Sequence, residues 1–353
     1  EGKETMETNL KLSKEITGKI DALAARFSIS KEDVISKLLD NASDSLFQLE
    51  KRYYPCDEQS VVVKLNKIGI IGCESTARGI AKLMAIKGIS VILLGEHEIE
   101  LNTAHRMLES NLDWMISKWE LTETEKKLIL QHITVTTDSK KLREAEIVFD
   151  TLRMPYEKHV HVLNDLGSVL SDNVIIAVDD ETCPLSGLSE VISNPERVIG
   201  FHLTYPASRR KIVEVMRSRY TSDDTFQRIL AVARLMDKEV VNIVESAGAI
   251  SMRIMIPFIN EAVDVWSEGL ATAWEIDRVM KLAMNLPMGP LEFADTVGLD
   301  ILVETMHKLW TVSGKPQYHP HPKLKQLVQR NTLGKKSGRG IQNYNTSEIG
   351  EAP

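Results

Sequence analysis

The sequence predicts an α/β protein whose mostly parallel sheet carries helices on its faces and is followed by an all-α region. Short apolar runs alternate with amphipathic segments from Lys67 to about Met216, which is typical of βαβ units. Several runs are apolar almost throughout, as strands buried on both faces must be. After about Glu245 the apolar spacing becomes helical. The runs are KIGIIG (67–72), SVILLG (90–95), EIVFDTL (146–152), NVIIAVDD (173–180) and VIGFHL (198–203).

Three zones are predicted along the chain of 353 residues. Residues 1–60 show one short polar-apolar alternation and then two helical patterns, and they end near a break at Pro55–Glu58. Residues 61–245 contain the sheet, and residues 246–353 form the helical domain. A core that exceeds roughly 250–300 residues normally splits into domains, so this division suits the length of the chain.

Composition excludes several classes of protein. The net charge of −7 gives no global basic field for nucleic acid or anionic membrane. No apolar run approaches the roughly 20 residues that span a bilayer, and the acidic N-terminus is unlike a targeting peptide. Cys56, Cys73 and Cys183 form no CxxC pair, while His319 and His321 lie in a proline-rich loop. We therefore expect a cytoplasmic protein with no membrane contact and no metal site.

The first strand runs directly into a helix, in the context of a Rossmann-like dinucleotide fold. In such folds the backbone N–H groups of a glycine-rich turn hold a pyrophosphate. The first glycine of the GxGxxG pattern is Gly72, but Glu74 stands at the second position and Ala77 at the third. The predicted cofactor-binding residues are Gly72, Ser75, Thr76, Ala77 and Glu96.

Two residues of this region depart from the pattern. The second glycine lets the backbone approach the pyrophosphate, whereas a carboxylate at Glu74 obstructs and repels it. Gly95 ends the second strand where an acidic residue should bind the ribose, and Glu96 follows one position later. The sequence thus predicts either weakened NAD binding or a strand-turn-helix that survives as scaffold.

Four further motifs resemble the 3-hydroxyacyl-CoA dehydrogenases, in the order and spacing of that family over roughly residues 66–345. The resemblance implies a Rossmann-like NAD domain followed by a helical domain that mediates dimerisation. It also implies an acyl-CoA substrate and a homodimer or larger homo-oligomer. The motifs are GFHLTYP (200–206), KIVEV (211–215), LPMGPLEFADTVGLD (286–300) and LGKKSGRGIQNY (333–344).

The resemblance places a catalytic histidine at His202 and its orienting glutamate at Glu214. In the family the histidine takes the hydroxyl proton while hydride leaves C3 for the nicotinamide. Two short strands, 198–203 and 211–216, joined by a turn set His202 opposite Glu214. A carboxylate against one ring nitrogen raises the basicity of the other, so the residues support the same assignment.

The substrate positions depart from the family. Glu181, with Thr182 beside it, stands where the family has a hydroxyl residue that binds substrate, and Met252 replaces an asparagine. Methionine cannot donate the hydrogen bond that an amide supplies. The sequence therefore predicts weak or altered NAD-dependent oxidation of a 3-hydroxyacyl-CoA or 3-hydroxy acid. The alternative is an inactive pseudoenzyme with a structural, assembly or regulatory role.

Residues 8–42 resemble the ribbon-helix-helix fold of small dimeric repressors. Asn9 and Lys11 lie on the polar face of a short alternation and have the chemistry to contact base edges. Residues 1–66, however, hold ten basic and twelve acidic side chains, and phosphate contacts normally supply most DNA affinity. The charge therefore favours an assembly segment over a DNA-binding one.

Overall fold

The computed structural model describes residues 65–204, 207 and 210–344, together with Ile20, Asp21, Ala25 and Lys31. The ribbon-helix-helix prediction, with Asn9 and Lys11, lies outside the described residues. The chain divides into two compact units, Glu1–Glu58 and Gln59–Pro353. All elements given below belong to the second unit.

Eight strands form a single sheet in the order β3-β2-β1-β4-β5-β6-β7-β8. The first six are parallel to their neighbours, β7 is antiparallel to β6, and β8 is parallel to β7. The order of the first six is that of a Rossmann fold, which confirms the predicted architecture. The strands are Lys67–Ile71 (β1), Ser90–Leu94 (β2), Ile133–Thr136 (β3), Ile147–Asp150 (β4), Ile175–Val178 (β5), Val198–Leu203 (β6), Ile212–Arg217 (β7) and Glu239–Val244 (β8).

Helices cover both faces of the sheet and then form the C-terminal domain. They are Ser75–Ile86 (α1), Glu98–Ser117 (α2), Glu123–Gln131 (α3), Tyr156–Val169 (α4), Leu185–Glu190 (α5), Asp223–Leu235 (α6), Ile250–Ser267 (α7), Ala273–Ala283 (α8), Pro290–Val297 (α9), Leu299–Ser313 (α10) and Pro322–Gln329 (α11). None of the described helices is both long enough and apolar enough to span a bilayer.

Two hydrophobic layers hold the helices on the sheet. Met84 of α1 and Leu108 of α2 pack on one face, while Leu163 of α4 and Leu188 of α5 pack on the other. Strand β5 is buried at every position, which explains its uninterrupted apolar sequence. The carboxyl ends of β1, β4, β5 and β6 are therefore held at one edge of a rigid sheet.

The helical domain has its own hydrophobic core. Two buried aspartates form hydrogen bonds with the motifs at 286–300 and 333–344. Asp277 accepts hydrogen bonds from the backbone N–H groups of Leu291 and Glu292, both at 2.8 Å, and so caps the start of α9. Asp295 accepts from the N–H groups of Ile341 and Gln342, both at 2.9 Å. Each carboxylate thus supplies hydrogen-bond acceptors to backbone N–H groups that would otherwise lack partners.

Candidate active site

The turn after β1 has the shape that a dinucleotide fold requires. Gly72 has a φ of +106°, and a Cβ at this position would lie 2.7 Å from Oγ1 of Thr151. The Thr151 hydroxyl donates a 2.8 Å hydrogen bond to the carbonyl of Ile71, so it cannot easily move away. Only glycine fits both the conformation and the space.

The start of α1 is open. The first bond within the helix runs from the N–H of Arg78 to the carbonyl of Glu74, at 3.0 Å, so the N–H groups of Ser75, Thr76 and Ala77 precede it. No side chain caps this end in the described part of the chain. An open helix N-terminus behind a tight glycine turn is suited to a pyrophosphate.

The side chain of Glu74, at the N-cap position of α1, is exposed. Nη1 of Arg78 donates a 2.7 Å hydrogen bond to the carbonyl of Cys73 and brings a positive charge to the same turn. The weakening of NAD binding by Glu74 stays a prediction, although water screens the charge of its exposed side chain. Gly72 and the uncapped first turn of α1 nevertheless fit a dinucleotide, and they would hold its pyrophosphate.

His202, at the end of β6, is surrounded by carboxylates from the loop after β5. Its Nδ1 lies 3.1 Å from Oε2 of Glu181, 3.5 Å from Oδ1 of Asp179 and 3.3 Å from the Asp179 carbonyl. Asp179 is held in place because its Oδ1 also accepts from the N–H of Leu203, at 2.9 Å. Nδ1 thus acts as a hydrogen-bond donor, which leaves Nε2 for a substrate.

Arg153, which follows β4, completes the charged cluster. One of its terminal nitrogens lies 3.5 Å from Oε2 of Glu181 and 3.6 Å from Oδ2 of Asp179. Buried carboxylates need such partners, since an isolated buried charge is costly. The sequence reasoning did not identify Arg153, although a cation directly after β4 could be expected to meet groups at the end of the neighbouring β5.

The charges in this cluster perturb one another. Burial alone would lower the pKa of His202, but the negative charges of Glu181 and Asp179 beside Nδ1 raise it well above the ordinary value. Burial would raise the pKa of Glu181, yet the positive charges of His202 and Arg153 hold it well below its usual range. The geometry therefore favours an imidazolium beside a carboxylate.

Glu214 has a different partner. The register of β6 and β7 places it directly opposite His202, as the sequence predicts. Its carboxylate accepts hydrogen bonds from the N–H of Ser251 at 3.1 Å and from the Ser251 hydroxyl at 2.6 Å. Within the described residues no hydrogen bond joins Glu214 to His202. The orienting role of Glu214 stays a prediction, whereas Glu181 contacts the histidine directly.

The remaining predicted residues are dispersed. Thr182 donates its hydroxyl to Oδ1 of Asp180 at 2.5 Å, and Met252 packs against the core of the helical domain. The side chain of Glu96 is 85% exposed. The cofactor roles and the predicted homodimer stay predictions.

A second buried network contacts the loop after β5. Nε2 of His159 is 2.6 Å from Oδ2 of Asp150, and its Nδ1 is 3.7 Å from the sulfur of Cys183. The Cys183 thiol donates to Oδ2 of Asp180 at 3.3 Å, and the Lys308 ammonium lies 3.4 Å from the same oxygen.

His159, Asp180 and Cys183 could offer ligand atoms to a metal ion, but the Asp180 carboxylate is already paired with the Lys308 ammonium. These hydrogen bonds fix the loop that carries Asp179 and Glu181.

Comparison with known proteins identifies the class to which this fold and site belong. Residues 67–246 match the family model of the 3-hydroxyacyl-CoA dehydrogenase NAD-binding domain, and residues 248–344 match that of its C-terminal domain. The chain belongs to the 3-hydroxyacyl-CoA dehydrogenase family, an assignment that supports NAD use.

Individual relatives agree over the same region. The chain is 31% identical to a 3-hydroxybutyryl-CoA dehydrogenase of Clostridioides difficile over 79% of this chain and 99% of that protein. It is 32% identical to a probable 3-hydroxybutyryl-CoA dehydrogenase of Bacillus subtilis over 80% of this chain and 98% of that one. The crystal structure of (S)-3-hydroxybutyryl-CoA dehydrogenase from Ralstonia eutropha superposes with a TM-score of 0.71 at 33% identity, covering 80% of this chain and all of the other.

Proposed function

We propose that this protein is an NAD-dependent dehydrogenase of a short 3-hydroxyacyl-CoA thioester, with His202 as its acid-base residue. The observation that carries the proposal is the contact between Nδ1 of His202 and the buried carboxylate of Glu181, at 3.1 Å. Such a contact fixes the ring and leaves Nε2 as the proton acceptor. Family membership and the names of the relatives support the substrate class.

The chemistry follows from this arrangement. In oxidation, Nε2 of His202 takes the proton of the 3-hydroxyl group, and the O–H electron pair forms the carbonyl as the C3–H bond breaks. The hydride that leaves C3 would be taken up by NAD, whose nicotinamide would supply the acceptor. Glu181 and Asp179 stabilise the imidazolium that results, and the Arg153 guanidinium lies within 3.6 Å of an oxygen of each carboxylate. In reduction, the same imidazolium returns its proton to the carbonyl oxygen.

Glu181 and Met252 make this an altered site. Glu181 stands where the 3-hydroxyacyl-CoA dehydrogenases have a hydroxyl residue, and its carboxylate only accepts hydrogen bonds. Met252 stands where they have an asparagine, and it supplies no amide donor. We propose that the greater basicity of His202 compensates for these two changes. We also propose that the activity is biased toward reduction of the 3-keto substrate near neutral pH. No observation on the described residues favours the non-catalytic alternative.

The test is turnover of acetoacetyl-CoA with NADH, followed by the loss of NADH absorbance. We expect turnover in the wild-type protein and its loss in His202→Asn. Free acetoacetate, assayed in parallel, distinguishes a thioester substrate from a 3-hydroxy acid. A wild-type protein that binds NADH but reduces neither compound would contradict the proposal and support a non-catalytic role.

A further inference from the structure

The carboxyl end of β2 lacks the acidic residue that dinucleotide folds use to bind the ribose of the adenosine half. Gly95 stands there, and the side chain of the adjacent Glu96 is 85% exposed. A negative charge nevertheless lies beside Gly95. Glu100, in the first turn of α2, folds back toward it.

The space beside Gly95 is filled by the Glu100 carboxylate. A Cβ at position 95 would lie 2.7 Å from Oε1 of Glu100 and 2.8 Å from the sulfur of Cys73. Cys73 directly follows Gly72 in the dinucleotide turn. The Glu100 carboxylate therefore occupies the place that an acidic side chain at the end of β2 would take, next to that turn.

The carboxylate of Glu100 is held in this place by the backbone. Oε1 accepts hydrogen bonds from the N–H groups of Glu96 and His97, the latter at 3.1 Å. Burial, with the charges of Glu100 and Glu74, raises the pKa of the Cys73 thiol to about 11, which agrees with a carboxylate close to the turn. These hydrogen bonds to Oε1 leave Oε2 as a further acceptor.

We propose that Glu100, rather than Glu96, binds the adenosine ribose and makes the protein select NAD over NADP. The inference rests on the NAD use in the proposed function. A carboxylate accepts hydrogen bonds from the ribose hydroxyls, whereas it repels the 2′-phosphate of NADP. The competing feature is the guanidinium of Arg78 at the same turn, which would favour that phosphate.

The test measures NADH and NADPH dissociation constants of the full chain by fluorescence titration. Glu100→Gln keeps an acceptor for the two backbone N–H groups, because glutamine also serves in capping boxes, but it removes the charge. We expect NADH affinity to fall roughly ten- to hundredfold, as for loss of a charge-assisted hydrogen bond, while NADPH affinity stays equal or rises. Glu98→Gln, an exposed residue in the same turn of α2, is the matched control and should bind both as the wild type does.

Three results would overturn the assignment. They are an unchanged NADH affinity in Glu100→Gln, a larger loss in Glu96→Gln than in Glu100→Gln, and a wild-type preference for NADPH. A wild-type protein that binds neither nucleotide overturns both this inference and NAD use. Tight NADH binding without turnover of any acyl-CoA contradicts only the proposed reaction, because the affinity comparison still tests Glu100.

Discussion

Nδ1 of His202 lies 3.1 Å from Oε2 of Glu181, whereas the glutamate opposite His202 in the sheet, Glu214, is bonded to Ser251. The carboxylate in direct contact with the imidazole therefore lies on the loop after β5, and the orienting role of Glu214 stays a prediction. These two contacts predict different effects of replacing Glu181 and Glu214.

Replacing His202 with asparagine should abolish most of the activity without unfolding the protein. Loss of a positioned acid-base group typically costs about 10²–10⁴-fold in rate. NADH affinity should stay near the wild-type value, because the dinucleotide turn lies on β1 and α1. The measurement is kcat/KM with acetoacetyl-CoA beside an NADH titration. Activity within a few fold of the wild type would contradict the role of His202.

Glu181→Gln should move the pH profile of oxidation to lower pH. The negative charge of Glu181 stabilises the imidazolium and so raises the pKa of His202. Removing that charge lowers this pKa, and the neutral base then forms at lower pH. We expect the rising limb of kcat/KM for 3-hydroxybutyryl-CoA oxidation to shift downward by about one pH unit or more.

Glu214→Gln is the comparison variant for this shift. Because Glu214 bonds to Ser251, its replacement should move the limb less than Glu181→Gln does. A larger shift in Glu214→Gln would assign the orienting role to Glu214, as the sequence predicts. Circular dichroism of both variants checks that the sheet remains folded.

Gly72→Ala should lose NADH binding and stability, since the new methyl group meets the Thr151 hydroxyl at a positive φ. A strained backbone position of this kind costs about 1–3 kcal/mol in unfolding free energy. Gly88→Ala is the matched control, because Gly88 also has a positive φ, of +77°, but nothing lies within 4 Å of its added Cβ. Equal NADH affinity in the two variants would show that the turn does not hold the cofactor.

Asp150→Asn should destabilise the protein more at pH 6 than at pH 9. Burial alone would lower the pKa of His159, but its hydrogen bond to Asp150 raises it above 6.5. A raised folded-state pKa stabilises the protein fully below the unfolded pKa, and this contribution is lost as pH rises through the folded value. We expect a deficit of about 1–3 kcal/mol at pH 6 that shrinks at higher pH.

Urea denaturation at both pH values measures this difference. His161→Gln, which alters an exposed histidine on the same helix, should show no such trend. A deficit in Asp150→Asn that is constant with pH would show that His159 does not titrate with folding in this range.

The sequence allowed the fold to be predicted because its signals are local. Continuous apolar runs identify strands buried on both faces, and β5 is the clearest example. The strand pairing that places His202 opposite Glu214 also followed from two adjacent short strands. The glycine turn was recognised at Gly72, where both conformation and space require glycine.

The contacts within the site could not be predicted in the same way. Ser251 reaches Glu214 across 37 positions of sequence, and Lys308 reaches Asp180 across 128. Spacing along a strand shows which face a side chain occupies but not which of two nearby partners it binds. Glu100 was missed because the fingerprint places the ribose acid at the strand end, whereas this side chain returns from the following helix.

The contact between Lys308 of α10 and Asp180 limits how this protein can be divided or recombined. A fragment that ends after the sheet would leave Asp180 buried without its cation and Glu214 without Ser251, both within one loop or strand of His202. Exchanging the C-terminal half with one that lacks Lys308 and Ser251 would leave both carboxylates without these partners even if every residue of the sheet were retained. The surroundings of His202 thus depend on both halves of this unit, although the histidine itself belongs to only one.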